Sequence, residues 1–212
     1  MGEECCALAV NPRRDGRVIY DGENFFVSAA LGSMGLPGYV LIVSREHYIG
    51  TGDMPSDFHP ELDDLMERTR AVLREAYGKE PIFFEHGPRV GNCGWGGCID
   101  HAHIHAIPAP DISDIFAVDL MHHLGEKDRF YRVDRLDGFK RASEIHKGHK
   151  TSYVMLQDTS QRRLFSEVSF PGQSQWLRQL VAFQLGSSEW NWRQHPYKER
   201  AMQTAQELAG KF

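Results

Sequence analysis

The chain has 212 residues, of which 41% are hydrophobic, 25% charged and 11% aromatic, a globular composition that excludes wholesale disorder. Its net charge is −5 and it has no run of five or six Lys or Arg, which argues against a groove for long nucleic acid. No apolar stretch is long enough to span a bilayer, and four cysteines without a secretion signal favour reduced thiols. We therefore expect a cytoplasmic protein that does not associate with membranes.

Hydrophobic patterning in the first half predicts several strands around one long helix. The predicted strands span residues 18–20, 24–28, 39–43, 82–85 and 100–107. Helical spacing of apolar residues predicts a helix from Pro60 to Tyr77, and Gly78 follows where helices commonly end. A loop with five glycines in residues 87–97 precedes the last of these strands. This order predicts an α+β domain built on an antiparallel sheet.

The second half has weaker signals that mix helices with a hairpin. Predicted helices span residues 111–124, 174–186 and 196–208, and a predicted hairpin joins strands 151–157 and 163–168. We divide the chain into a domain of residues 1–112 and a C-terminal extension of residues 113–212. Because the sequence shows no repeat and no low-complexity linker, the extension is expected to pack on the first domain.

The central feature of the sequence is a run of alternating histidines, His101, His103 and His105. Alternate residues of a strand share one face, so the three imidazoles are expected on one side and Ala102 and Ile104 on the other. Two chemistries use such a row. Imidazoles two positions apart can bind one zinc ion, or one imidazole can attack phosphorus while a neighbour handles charge.

The glycine-dense loop before the histidines favours the second chemistry. Glycine lets phosphate approach the main chain closely, and its N–H groups can converge on an anion. A zinc site does not need such a loop. The sequence therefore predicts a site for a phosphorylated ligand.

The His-x-His-x-His run resembles the signature of the histidine-triad (HIT) superfamily of nucleotide hydrolases and transferases. Two companions follow the order of that family: the 37–43 segment PGYVLIV, in which Tyr39 replaces the usual histidine, and Arg45-Glu46-His47. The resemblance covers about residues 18–110. It implies a HIT-like antiparallel sheet with a long helix, a nucleotide-like substrate, no cofactor and a homodimer.

Carried over by position, the resemblance also assigns residue roles. It makes His103 the nucleophile, His105 the contact to the transferred phosphoryl group, and His101 the support of the nucleophile. His47 becomes a fourth histidine lining the site, and Gly96, with Gly97 beside it, offers backbone N–H groups to phosphate. The implied reaction is hydrolysis of a nucleotide phosphoanhydride, phosphoramidate or phosphodiester through a nucleotidyl-His103 intermediate. Alternatives are a nucleotidyltransferase or phosphorylase, and a non-catalytic nucleotide- or zinc-binding module.

Several positions depart from the family pattern. Cys98 stands where a hydroxyl usually assists the leaving group, and Ser28 is the nearest match to the usual ribose ligand. Glu85 is either a contact to a substrate hydroxyl or a buried structural hydrogen bond. In the extension, Gln175 or Arg178 is a further substrate-contact candidate. Cys93, Cys98 and His101 form a weak zinc alternative, because their spacing matches no standard finger.

Overall fold

The protein is described by a computed structural model for residues 16–88, 101–110, 112, 130–133, 137–149, 151–168 and 175–212. Within these ranges the strands are β1 (Val18–Asp21), β2 (Phe25–Ala29), β3 (Val40–Ser44), β4 (Pro81–Gly87), β5 (His103–Pro108), β6 (Phe130–Val133), β7 (Ser152–Gln157) and β8 (Arg163–Val168). The helices are α1 (His59–Tyr77), α2 (Gly138–Ser143), α3 (Trp176–Gln184) and α4 (Lys198–Leu208). A 3-10 turn (Ser56–Phe58) precedes α1 and a π-helical turn (Glu144–His149) follows α2.

The described strands form one antiparallel sheet in the order β1-β2-β3-β5-β4-β7-β8-β6. Strand β5 lies between β3 and β4, so the histidine strand is central rather than at an edge. Strand β7 pairs along the other side of β4, with Phe84 opposite Leu156. The predicted 1–112 segment and the C-terminal extension therefore share one sheet, and the predicted α+β antiparallel fold is confirmed.

Each face of the sheet packs against a different helix. Alternation along β4 sends Phe83 into a core with residues of α1, including Leu65 and Met66. Phe84 points the other way, into a core that contains Leu177 and Val181 of α3. Because β5 alternates in the same way, its histidines face the α3 side while Ile104 and Ala106 face the α1 side.

The long helix α1 ends as its sequence predicts. Gly78 adopts a left-handed conformation with φ of 66°, which glycine tolerates without a Cβ clash, and its N–H bonds to the Arg74 carbonyl. Pro60 lies in the first turn, where its missing N–H costs nothing. The apolar stripe from Leu62 to Leu73 is buried against the sheet.

Most predicted elements are confirmed to within a few residues, and two short ones were missed. The predicted helices 174–186 and 196–208 match α3 and α4, and the predicted hairpin matches β7 and β8. Strand β6 and helix α2 are only four and six residues long and carry too little periodicity to be recognised. The predicted helix 111–124 lies outside the described residues, except for Ile112. In the described ranges, no helix has the length and hydrophobicity needed to cross a bilayer.

Candidate active site

Strand β5 places His103 and His105 side by side on the face of the sheet that α3 covers. Their ring centroids are 4.7 Å apart and the rings meet edge to face. His103 remains partly exposed, whereas His105 is buried. His101 lies just before the strand and is buried as well. The structure therefore brings the predicted triad together at one end of β5.

The hydrogen bond of His103 defines which of its ring nitrogens is unprotonated. Its Nδ1 lies 2.7 Å from the carbonyl oxygen of His101. Because a carbonyl only accepts, Nδ1 must carry the proton and Nε2 of the neutral ring keeps its lone pair. Burial lowers the pKa of His103 to about 4, and positive charge on His101 and Arg178 acts in the same direction. The ring is therefore neutral at physiological pH, with a nucleophilic nitrogen at Nε2.

His101 supports His103 and is itself fixed by the end of β3. Its Nε2 lies 2.6 Å from the Ser44 carbonyl oxygen and 3.2 Å from the Ser44 hydroxyl. Burial lowers the pKa of His101, so this ring is also favoured in its neutral form. The His101 carbonyl is the acceptor that orients the His103 ring, and the supporting role of His101 in catalysis stays a prediction.

His47 lies against His101. Their ring centroids are 5.2 Å apart in an edge-to-face arrangement. This places the fourth predicted histidine in contact with the triad through His101, and its role in lining the site stays a prediction.

His105 is held between an aromatic ring and a phenol. It stacks on Phe84 with ring centroids 4.4 Å apart and an interplanar angle of 13°. Its Nδ1 lies 2.6 Å from the hydroxyl oxygen of Tyr39. Burial lowers the pKa of His105 well below its usual range, and positive charge on His103 and Arg178 adds to that. His105 is therefore a neutral ring of fixed orientation.

Glu85 does not face the histidines. It lies on the α1 side of the sheet, and its carboxylate accepts hydrogen bonds from the Thr51 N–H at 2.7 Å and the Tyr153 hydroxyl at 3.1 Å. Both partners are part of the protein, which favours the buried structural hydrogen bond over the substrate contact. The pairing register of β4 turns this side chain away from His103, and a contact between Glu85 and the substrate stays a prediction.

Ser28 lies on the histidine face but at a distance. Leu41 stands between Ser28 and His105 in the strand register, which corresponds to about 10 Å, or two inter-strand spacings. The Ser28 hydroxyl is buried and lies 3.4 Å from the Arg17 carbonyl oxygen. A role in ribose binding stays a prediction.

Gln175 is a structural residue of the C-terminal extension in this conformation. Its amide bonds to Asn191 Oδ1 at 3.1 Å and accepts the Trp192 N–H at 3.2 Å, and the side chain is buried. Three residues later, Arg178 donates to the Tyr39 hydroxyl at 2.7 Å and thus contacts the histidine cluster through Tyr39. Of the two candidates in the extension, Arg178 contacts the histidine cluster through Tyr39, and a substrate contact by Gln175 stays a prediction.

His86, considered from sequence only as a weak zinc ligand, lies on the histidine face of the sheet, a position that the sequence did not indicate. It shares the face of Phe84 on β4, and the β4–β5 register continued by two residues places it opposite His103. Burial lowers the pKa of His86 to about 4, with positive charge on His103 as the second cause. Its ring packs edge to face with Trp176, and both ring nitrogens lack a hydrogen-bond partner among the described residues. Strand alternation from Phe84, once β4 was paired with β5, would have revealed it.

The predicted phosphate loop cannot be located in the structure. Gly96, Gly97, Cys98 and Cys93 all lie outside the described residues. Over the ranges that the structure does describe, no three His, Cys, Asp or Glu side chains are grouped to hold a metal ion. Of the three residues in the weak zinc alternative, only His101 lies within these ranges, and its ring is hydrogen-bonded to Ser44.

Comparisons with known proteins reveal similarity only to solved structures. No family model matches the sequence, and no curated protein matches it significantly. A histidine triad nucleotide-binding protein from Sulfolobus tokodaii is 20% identical, with 49% of this chain and 66% of that one covered and a TM-score of 0.40. A Hit-like protein of Bartonella henselae is 12% identical, with 51% and 78% covered and a TM-score of 0.42. A GalT-like protein of Arabidopsis thaliana is 12% identical, with 73% and 78% covered and a TM-score of 0.40. At this level of similarity, the function of the chain has to be argued from its own residues.

Proposed function

We propose that this chain is a hydrolase that cleaves a phosphoanhydride, phosphoramidate or phosphodiester bond of a nucleotide through a covalent intermediate on His103. The observation that carries the proposal is the hydrogen bond from His103 Nδ1 to the His101 carbonyl, 2.7 Å long, which leaves Nε2 unprotonated. An imidazole with this orientation and a lowered pKa is an activated nucleophile.

The first step would transfer the nucleotidyl group to the protein. His103 Nε2 attacks phosphorus, a P–N bond forms, and the bond from phosphorus to the leaving group breaks. The electron pair of that bond leaves with the departing atom, which takes a proton from solvent. His105, 4.7 Å from His103 between ring centroids, is placed to donate a hydrogen bond to an oxygen of the reacting group.

The second step would release the nucleotide. A water molecule attacks phosphorus, the P–N bond breaks, and its electron pair returns to Nε2 while the water loses a proton. His103 is then regenerated in its neutral form. A transferase would use another acceptor in place of water, with the same first step.

The neighbouring groups favour a small anionic substrate. Arg178 carries a buried positive charge that lowers the pKa of both His103 and His105, while the unpartnered nitrogens of His86 leave hydrogen-bonding capacity on the same face. Such a site suits a phosphoryl group with its charged oxygens. Glycines 96 and 97 are the predicted backbone donors to the same phosphate.

A trapping experiment tests the proposal. The protein is mixed with a radiolabelled dinucleotide and quenched in alkaline denaturant, because a phosphorus–imidazole bond survives base and is lost in acid. We expect an acid-labile adduct that mass spectrometry places on residue 103. His103→Ala should form none, and His149→Ala, which removes an exposed histidine bonded to Glu167, should label like the wild type.

The products separate the alternatives. Release of a nucleoside monophosphate in water supports hydrolysis. Faster transfer of the nucleotidyl group to added phosphate or to a second nucleotide would indicate a transferase or phosphorylase instead of a hydrolase. Tight nucleotide binding with no adduct and no turnover would indicate that the protein is a non-catalytic binding module.

A further inference from the structure

Arg178 of α3 is a buried cation whose hydrogen-bond partners among the described residues are all neutral. Its guanidinium donates to the Tyr39 hydroxyl at 2.7 Å, to the Gly32 carbonyl at 2.7 Å and to the Trp190 carbonyl at 3.1 Å. The residue is only 7% exposed. No carboxylate of the described residues forms an ion pair with it. An uncompensated buried charge destabilises a fold, so a gain elsewhere has to offset it.

The position of Arg178 connects it to the reacting histidines. Its Cζ lies 5.2 Å from the centroid of the Tyr39 ring, and the Tyr39 hydroxyl lies 2.6 Å from His105 Nδ1. These hydrogen bonds connect Arg178 of α3, through the Tyr39 hydroxyl next to the start of β3, to His105 on β5. The Arg178 guanidinium is therefore linked to His105 through a single tyrosine hydroxyl.

The chemistry of the donors favours one direction for these hydrogen bonds. A guanidinium has only donors, so the Tyr39 oxygen accepts from Arg178. The hydroxyl proton of Tyr39 can then point to His105 Nδ1, which accepts it. A neutral His105 with an accepting Nδ1 carries its own proton on Nε2, the opposite tautomer to that of His103.

We propose that Arg178 is a positioning residue that, through Tyr39, holds His105 as the Nε2–H tautomer for the reaction proposed above. One ring thus presents a lone pair at Nε2, and its neighbour presents an N–H at Nε2. The inference rests on the proposed function for its catalytic meaning, but the tautomer itself is a property of the resting protein.

The tautomer of His105 decides how well the site stabilises a leaving group. When the bond from phosphorus to oxygen breaks, negative charge develops on the departing oxygen, and a neutral N–H aimed at it strengthens as the charge grows. Leaving groups of high pKa carry the most charge and need this donor most. Weakly basic leaving groups need it least. Loss of Arg178 or Tyr39 should therefore affect substrates unequally.

The first experiment measures the tautomer without turnover. In a protein labelled with ¹⁵N-histidine, long-range proton–nitrogen correlation identifies which nitrogen of His105 is protonated, and His105→Gln assigns its signals. We expect protonated Nε2 in the wild type and a loss of that preference in Tyr39→Phe and Arg178→Met. Protonated Nδ1 in the wild type, or an unchanged tautomer in both variants, would overturn the proposal.

The second experiment compares leaving groups. Nucleotide aryl esters of graded leaving-group pKa are assayed with the wild type, Tyr39→Phe and Arg178→Met. We expect kcat to fall about 10- to 100-fold for the poorest leaving groups, somewhat less than removal of a whole preorganised donor. The kcat for the best ones and KM throughout should change little. An equal loss across the series would show a merely structural role and overturn the proposal.

Two controls keep these outcomes interpretable. Tyr153→Phe removes another buried tyrosine hydroxyl, on the opposite face beside Glu85, and should leave the leaving-group dependence unchanged. If Arg178→Met does not fold, Tyr39→Phe alone decides the question, because it keeps the Gly32 and Trp190 contacts of Arg178. A wild type with the expected tautomer but no turnover would refute the proposed hydrolase and leave the hydrogen-bond chain standing.

Discussion

Replacing Glu85 by glutamine tests whether this carboxyl is a buried structural group, destabilising when ionised, rather than a participant in the chemistry. Glu85 is 1% exposed and accepts hydrogen bonds from the Thr51 N–H, the Thr51 hydroxyl and the Tyr153 hydroxyl. Burial raises its pKa from 4.5 to about 7, and the hydrogen bonds from Thr51 and Tyr153 only partly oppose this. Glutamine keeps an acceptor oxygen for Thr51 and has almost the same shape.

The raised pKa sets the sign and size of the effect. Between pH 4.5 and about 7 the folded protein holds a proton on Glu85 that the unfolded chain has lost, so the free energy of unfolding falls as pH rises through this window. At 1.36 kcal/mol for each pH unit, the fall amounts to about 3 kcal/mol. Glu85→Gln cannot ionise, and this part of the pH dependence should disappear.

Urea denaturation from pH 4.5 to 8 measures the difference. Wild type and Glu85→Gln should converge near pH 4.5 and separate by about 3 kcal/mol above pH 7, with the variant more stable. Glu75→Gln, at an exposed position of α1, should follow the wild type. Parallel curves for wild type and Glu85→Gln would refute the reasoning.

The same variant also decides between the two roles considered for Glu85. A residue on the α1 side of the sheet should not alter kcat/KM by more than about twofold. A 100-fold loss of kcat/KM with unchanged stability would instead indicate that Glu85 contacts the substrate.

Three further changes test the site and its support. The kcat/KM should decline only as pH falls through about 4, because protonation removes the His103 lone pair, whereas a decline near 6.5 would contradict the buried environment. His86→Phe replaces by carbon two ring nitrogens that have no partner among the described residues. Urea denaturation should therefore show a free energy of unfolding about 1 kcal/mol higher, and nucleotide titration should show weaker binding. A lower free energy of unfolding would contradict the view that these nitrogens are unpartnered. Gly32→Ala, with φ of 69° and a new Cβ 2.5 Å from the Trp192 Cβ, should cost at least about 2 kcal/mol more than Gly186→Ala, where φ is 72° and the space is open. Equal melting temperatures of the two glycine variants would show that the Trp192 contact relaxes freely.

The sequence was sufficient to predict the arrangement within one strand. Period-two alternation requires only local geometry, so His103 and His105 were expected on one face and lie there. The helix α1 has apolar residues at helical spacing and a glycine stop, and it was predicted within one residue of its ends. Local signals of this kind do not depend on what the chain packs against.

Relations between distant segments could not be predicted in this way. Whether Glu85 or His86 faces the site depends on the pairing register of β4 with β5, which a single strand does not reveal. Arg178 and Tyr39 are 139 residues apart and meet only because α3 covers the histidine face. Arg178 was a substrate-contact candidate from sequence, but its hydrogen bond to Tyr39 has no sequence signature, because most arginines are exposed.

The position of β4 between β5 and β7 also constrains how the nascent chain can fold. Phe84 pairs with Leu156, which is made 72 residues later (156 minus 84), or about 4–14 s at ordinary elongation rates. Throughout that interval one side of β4 has unpaired backbone groups that could pair with a neighbouring polypeptide. Arg178 leaves the ribosome later still, so a product that terminates early lacks both the strand that covers β4 and the cation behind His105.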